Sequence, residues 1–528
     1  MSSNTPLYAI PISKRPPNTW LRFFQAFLFT ILFNSACIMI NGSQFVFLLP
    51  FRILPFRWSR KLYYAGIRYT KGAFGSLQIL MCQWFAPTKL LITFETQGMG
   101  AFTQEEIDKY ILKDKEGNAV GLDLPTKFVL IANHQVYADW WYAWCLTYFM
   151  SPQGIHRYVY ITLKKSLRWV PIVGWGMQFF KFIFLARSWA SDRQQLARDL
   201  ATLGREAERE GKPLCFMLYP EGTLVSKDTR PKSKKYAEKM GITDMKHILL
   251  PRSTGLHYSL RSLAPRIPDL RLFDLTVAYP GIPPLGYGQD YYTLRSLFFD
   301  GVAPPAVHIH IRMFDVTKGV PIGNLSGTTS AATPDPKSKR IVEVDIPSDE
   351  KEVFDIWLRK LWQEKDDGMD KFFETGSLAS KGAPTVEIPL RLRRKREILD
   401  AFCFFWPASV AYLWGRLRGL VSRNRWTQLE RQFSSPLEKR VDGVPVTHLE
   451  KCKFQYQAKR ESTNLSQQVT RMSKVSRERS SHNCLLGFKK RSQLFLKNSE
   501  HGSTGMEVEE THLSRLVEFF GHDDGDQV

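Results

Sequence analysis

Apolar and polar positions divide the chain into stretches of different texture. Residues 19–40, TWLRFFQAFLFTILFNSACIMI, form one apolar run, long enough as a helix to cross a hydrocarbon layer of about 30 Å, with Trp20 and Arg22 where interfacial anchors belong. The run exceeds a signal-peptide core and carries no small-residue cleavage pattern, which predicts a retained anchor. Asn41-Gly42-Ser43 interrupts it and FVFLLPF continues to residue 51, compatible with one long tilted helix or a re-entrant pair. GSLQILMCQWFAP at 75–87 is too short to span and predicts a helix lying in the interface or against a folded domain.

From about residue 90 the pattern becomes that of an α/β protein. KFVLIAN (127–133), HRYVYITL (156–163), PLCFMLYP (213–220), LFDLTVAYPG (272–281) and AVHIHIRMF (306–314) read as strands, apolar and rich in β-formers between turn residues. DRQQLARDLATLGREAERE (192–210), apolar at 196, 200 and 203, and the amphipathic 354–376 segment have the helical period. Strands alternating with helices predict a parallel-rich sheet flanked by helices, behind an N-terminal membrane anchor helix. The expected division is 1–95 anchor and interfacial helices, 96–380 globular domain with its motif core at 127–256, 381–420 basic run plus apolar hairpin, and 421–528 polar tail. In the third part RLRRKRE (391–397) precedes AFCFFWPASVAYLWG (401–415), which Pro407 splits, so a spanning helix and a re-entrant or interfacial hairpin both fit. The Ser-rich tail has no sustained period and reads as disordered.

Lys+Arg 73 against Asp+Glu 51, net +22, with 13% aromatic residues, points to a phosphate-rich partner surface. Nucleic acid and anionic lipid both qualify. The anchor favours the bilayer, since a soluble nucleic-acid binder has no need of one. Cations flank both sides of the anchor, leaving its orientation open. The cysteines at 37, 82, 145, 215, 403, 452 and 484 form no C-x-x-C, so neither a metal site nor a disulfide framework is expected.

Candidate chemistry begins with FVLIANHQVYADWWYAW (128–144). His134 follows a strand where a helix should begin, the usual location of active groups in α/β sheets, and Asp139 lies five residues on. Within one regular helix these side chains would stand about 140° apart, so a dyad requires His134 on the lead-in turn. A carboxylate on one ring nitrogen fixes the tautomer and leaves the other nitrogen free to take a proton. The alternative is a hydrogen-bonded core histidine. His310 and Asp315 repeat the spacing, but inside a strand residues five apart face opposite sides. In YPEGTLVS (219–226), Glu221-Gly222-Thr223 turns the chain with backbone N–H groups able to face an anion. Arg187 in FIFLARSW and Arg252 in LLPRSTGL follow apolar runs, where a guanidinium fork could grip a phosphate.

The ordered set N-H-x4-D, apolar-run arginine, P-E-G-T and L-P-R-S-T-G resembles the four blocks of the glycerophospholipid acyltransferase family, from the anchor region to about residue 376. LKKSLRWVPIVGWGMQ (163–178), SKDTRPKSKKYAEKMG after the E-G-T, DLTVAYP and the W-x4-W-x-E-K helix are similar to its lysocardiolipin and lysophosphatidylinositol branch. The resemblance implies His134 as general base and Asp139 as its orienting partner. It implies Glu221, Gly222 and Thr223 in a glycerophosphate pocket, with Arg187, Arg252 and the weaker candidate Lys164 against phosphate. It further implies acyl-CoA as co-substrate without cofactor or metal, a lysophospholipid acceptor, the bilayer of the endoplasmic reticulum, and no nucleic acid. Leu224 stands where many lysophosphatidate acyltransferases have arginine, which favours a phosphodiester acceptor such as lysophosphatidylinositol. A lysophosphatidate acyltransferase and a non-catalytic lipid-binding protein that kept the fold are the rival readings. A serine hydrolase is disfavoured by the lack of G-x-S-x-G.

Overall fold

The computed structural model describes residues 5–152, 154–186, 188–325, 346–379, 383–404, 414–416 and 418. Helix α1 (Trp20–Gly42) continues through a π-type turn (Ser43–Leu48) and a last turn (Leu49–Ile53), so of the two arrangements the sequence allowed, one long helical run is observed. Gly42 and Ser43 keep helical dihedrals, and Ser43 Oγ bonds back to Met39 O at 2.8 Å. This run is long and apolar enough to cross a membrane. Helix α2 (Arg57–Phe85) absorbs the apolar 75–87 stretch as the end of a much longer helix, and its buried residues from 71 to 82 lie against the domain.

The main sheet is built from β1 (Lys89–Phe94), β4 (Lys127–Ala132), β5 (Val159–Lys164), β6 (Ile183–Leu185), β7 (Leu214–Leu218), β8 (Arg271–Ala278), β9 (Val307–Asp315) and β10 (Thr385–Pro389), in the order β10-β1-β9-β8-β4-β7-β5-β6. β2 (Ile111–Lys113) and β3 (Ala119–Leu122) form a separate hairpin. The pairs β1–β9, β8–β4, β4–β7, β7–β5 and β5–β6 are parallel, and β10–β1 and β8–β9 antiparallel. β1 and β10 lie outside the expected 96–380 domain yet complete its sheet. The HRYVYITL stretch enters its strand through a 3-10 turn, Ile155–Tyr158. Residues 405–413 of the expected hairpin and the 421–528 tail lie outside the described residues.

Helices cover both faces. Along β4, Phe128, Leu130 and Ala132 join the core that holds α1, α2 and α3 (Asp139–Phe149), while Val129 and Ile131 join the core that holds α4 (Trp189–Glu210), α5 (Ser253–Leu263) and α6 (Ser348–Thr375). This is the period-2 alternation of a strand buried on both sides. A short helix α7 (Glu397–Ala401) packs against α2.

Candidate active site

Because β4, β5, β7 and β8 run parallel, the segments leaving their C-terminal ends gather at one edge of the sheet, where open α/β sheets bind ligands. β4 stops at Ala132, and the Asn133 side chain continues its pairing: Nδ2 donates to Val277 O (3.0 Å) and Oδ1 accepts from Val277 N (2.8 Å). The main chain is thereby released to turn at His134, before α3 starts at Asp139. Across that turn His134 Nδ1 and Asp139 Oδ2 are 2.8 Å apart, the geometry the spacing required.

Asp139 is fully shielded, whereas the His134 side chain is 19% exposed. The carboxylate is held from several sides: Val136 N–H donates to Oδ2 (2.9 Å) and Tyr279 O–H to Oδ1 (2.6 Å). Burial, together with Asp139, keeps the Tyr279 hydroxyl protonated far above its usual range. An ionised carboxylate only accepts, so His134 Nδ1 carries the hydrogen and Nε2 is left with a lone pair. The Tyr219 ring stacks on the imidazole at 4.6 Å.

A cavity of about 1160 Å³ opens in front of His134. Its polar side has Lys164, Gly222, Thr223 and Arg252; its apolar wall includes Leu167, Val170, Met177, Phe182 and Leu185. Gly222 needs its left-handed φ of 73° for the turn after β7, and the Arg252 side chain crosses it, so that a Cβ there would lie 3.6 Å from Arg252 Cδ. Leu224 also lines the cavity, giving an apolar surface where a further arginine was absent from the sequence.

Glu221 departs from expectation. It does not line the cavity but lies beneath it, 2% exposed, with Oε1 accepting His134 N–H (3.0 Å) and Oε2 accepting Leu249 N–H (3.2 Å). It therefore fixes the histidine turn and the loop leading to Arg252. Burial pushes its carboxyl up to about 8, against the pull of the two backbone donors. A raised carboxyl pKa favours the folded state below the ordinary value near 4.5, and that contribution fades as pH rises through about 8. The unfolding midpoint of the wild type should thus fall by about 3 °C or more relative to Glu221→Gln between pH 6 and pH 9. A constant difference across this range in paired thermal melts would refute the assignment.

Arg187 lies outside the described residues. His310 does not meet Asp315: its Nδ1 is 3.0 Å from Thr93 Oγ1 and its Nε2 3.2 Å from Glu95 Oε2, while Asp315 accepts from Arg271 at 2.7 Å. Sequence reading missed Tyr219 and Tyr279, whose signal was available: each directly follows a strand of the parallel group that carries the site, Tyr219 after β7 and Tyr279 after β8. Of the aromatic run after Asp139, Trp140 faces the cavity, and Trp141 is buried against Phe33 of α1.

The chain matches the acyltransferase family model over residues 120–269 and the acyltransferase C-terminus model over 331–405. It is 32% identical over 359 residues to an uncharacterized acyltransferase of Schizosaccharomyces pombe, covering 68% of this chain and 89% of that protein. To the 2-acyl-1-lysophosphatidylinositol acyltransferase of Saccharomyces cerevisiae it is 36% identical over 346 residues, 60% of this chain and 77% of that one. To lysocardiolipin acyltransferase 1 of Danio rerio it is 31% identical over 252 residues, covering 47% and 53% respectively.

Proposed function

The chain belongs to the acyltransferase family, and from that premise we propose that it transfers a fatty acyl group from acyl-CoA to the free hydroxyl of lysophosphatidylinositol at the surface of the endoplasmic reticulum membrane. The observation that carries the reading is the His134–Asp139 pair at the mouth of a cavity with a cationic side and an apolar wall. The lysolipid hydroxyl gives its proton to His134 Nε2 while its oxygen attacks the thioester carbonyl. The tetrahedral adduct then collapses, the C–S bond breaks, and the CoA thiolate takes the proton back from the imidazolium, leaving the ester and a free thiol. Asp139 offsets the imidazolium charge between those steps, and Tyr279 and Val136 keep its carboxylate aligned. No acyl-enzyme is required.

Lys164, Thr223 and Arg252 supply donors for a single phosphate, and the apolar wall suits an acyl chain. Lysophosphatidylinositol as acceptor is supported by the likeness to the Saccharomyces cerevisiae 2-acyl-1-lysophosphatidylinositol acyltransferase and by Leu224, which removes a donor that a doubly charged phosphomonoester would use. Membrane delivery is supported by the anchor and by the mouth itself: Trp169 and Trp175, between cavity-lining residues, are 71% and 45% exposed, and Asn41 of α1 bonds Ile172 O beside them at 2.5 Å.

The test is acceptor competition on phosphatidylcholine vesicles carrying the full-length protein, labelled acyl-CoA, lysophosphatidylinositol, lysocardiolipin and lysophosphatidate. Lysophosphatidylinositol should be preferred in kcat/KM by about tenfold, ~1.4 kcal/mol, with one thiol released per ester formed. Equal or better use of lysophosphatidate would overturn the acceptor assignment, and ester formation without thiol release would overturn the donor.

A further inference from the structure

A second cavity, of about 160 Å³, lies between α2, the segment after α3 and the basic run at 391–397. Arg157, Arg393, Arg394 and Arg396 line it, together with Glu397 and Asp400. Both carboxylates are already engaged: Tyr148 donates its O–H to Glu397, and Tyr69 donates to Asp400 Oδ1 at 2.8 Å. Arg393 gives one N–H to Phe149 O (3.2 Å) and lies over the Tyr148 ring. Arg157, Arg394 and Arg396 have no ion pair or side-chain hydrogen bond among the described residues.

His156 also lines the cavity, only 6% exposed, and its Nδ1 has no hydrogen-bond partner among the described residues. Burial, then Arg157 and Arg393, holds this imidazole down to about 3, so it is neutral and keeps one N–H to donate. Buried polar atoms without partners are rare and call for an explanation. The space is made by α2, where a Cβ at Gly72 would come within 2.8 Å of Arg157 Cγ and one at Gly75 within 2.9 Å of His156 Cδ2.

We propose that this cavity is a second phosphate site, distinct from the acyl-transfer cleft, in which guanidinium groups and His156 grip the phosphate of an anionic ligand. Its volume admits a phosphate group but not the glycerol and acyl chain that the far larger cleft accommodates. A lipid headgroup and a soluble phosphate share this chemistry. The surroundings favour the headgroup: Leu399 and Phe404, just past the arginines, are 58% and 45% exposed, so cationic and apolar surfaces adjoin as they do at a bilayer interface.

The experiment uses the full-length protein in phosphatidylcholine vesicles, in the same vesicles with phosphatidylserine as a minor component, and in neutral vesicles with added inorganic phosphate. Ligand binding to the folded state raises the unfolding midpoint. Phosphatidylserine should raise that of the wild type by about 3 °C or more. The pair Arg157→Gln/Arg396→Gln should lose at least half of this rise, the pair Arg157→Lys/Arg396→Lys should keep most of it, and turnover on neutral vesicles should be unchanged in both. Should the glutamine pair fail to fold, the exposed single change Arg396→Gln carries the comparison. A rise produced by inorganic phosphate and lost in the glutamine variant upholds the site and assigns it a soluble ligand. Nonspecific attraction to a chain of net charge +22 would survive removal of two charges almost intact. Equal rises in wild type and glutamine variant therefore overturn the proposal, as does no rise in the wild type with either probe.

Discussion

His134→Ala is expected to lower acyl transfer by about 10²- to 10⁴-fold, the range a positioned general base contributes, with expression, membrane fractionation and unfolding midpoint essentially unchanged. The side chain is partly open to the cavity, and among the described residues its ring hydrogen-bonds only to Asp139. The turn itself is held by backbone contacts that the substitution keeps: His134 N–H to Glu221, and Val225 N–H to His134 O at 3.1 Å. His310→Ala is the matched control, because His310 has the same spacing to an aspartate and no contact with it. Initial rates with labelled acyl-CoA decide the matter. Activity in His134→Ala above about a tenth of wild type is incompatible with general-base catalysis of ordinary size.

The sequence made the centre of the fold legible and left its margins hidden. β4, β7 and β8 are buried on both faces; β4 and β7 appear as unbroken apolar runs, and β8 as an apolar stretch broken by Asp274 and Thr276. β1 and β10 were missed because KLLITF and TVEIP are short and partly polar; they become strands through pairing with β9 and with each other at the sheet edge. β6 has too few residues to show a period. The length of α2 was masked because cations interrupt the apolar pattern of its first half and Gly66, Gly72 and Gly75, residues of low helix preference, punctuate it; tertiary contacts overrule them. Within the site the dyad was readable because a spacing and a strand-to-helix junction determine it. The direction of Glu221 was not: a turn motif specifies backbone shape, and only the assembled structure reveals that this carboxylate points under the cavity toward His134 N and Leu249 N.

The second large effect is expected in stability, from Asp274→Ala. Asp274 sits on β8 with no exposed side-chain surface, between two cations: Lys365 Nζ donates to Oδ1 at 2.5 Å and Arg312 Nε to Oδ2 at 3.0 Å. Lys365 also donates to Leu275 O (2.6 Å), and Arg312 reaches Glu364 and Leu361 O. A single buried carboxylate thus ties α6 to the sheet. The adjacent Asp366 accepts N–H groups from Lys246, His247 and Ile248, so the same helix holds the loop whose next residue, Leu249, donates to Glu221. Removing Asp274 leaves the Lys365 ammonium in the interior without its carboxylate, and breaking a buried ion pair on one side costs about 3–5 kcal/mol. In thermal melts this corresponds to a midpoint lowered by about 5–15 °C. Replacement by a hydrogen-bonding but uncharged group, Asp274→Asn, should recover only part of the loss, since the charge is what Lys365 lacks while Arg312 keeps Glu364. A midpoint within about 2 °C of wild type for Asp274→Ala would mean that water or a rearranged carboxylate such as Glu364 reaches the ammonium, and that α6 is held by its apolar face and the Asp366 contacts rather than by this ion pair. The helix that the sequence presented as a closing amphipathic element would then support the histidine turn through Asp366 rather than through the Asp274 ion pair.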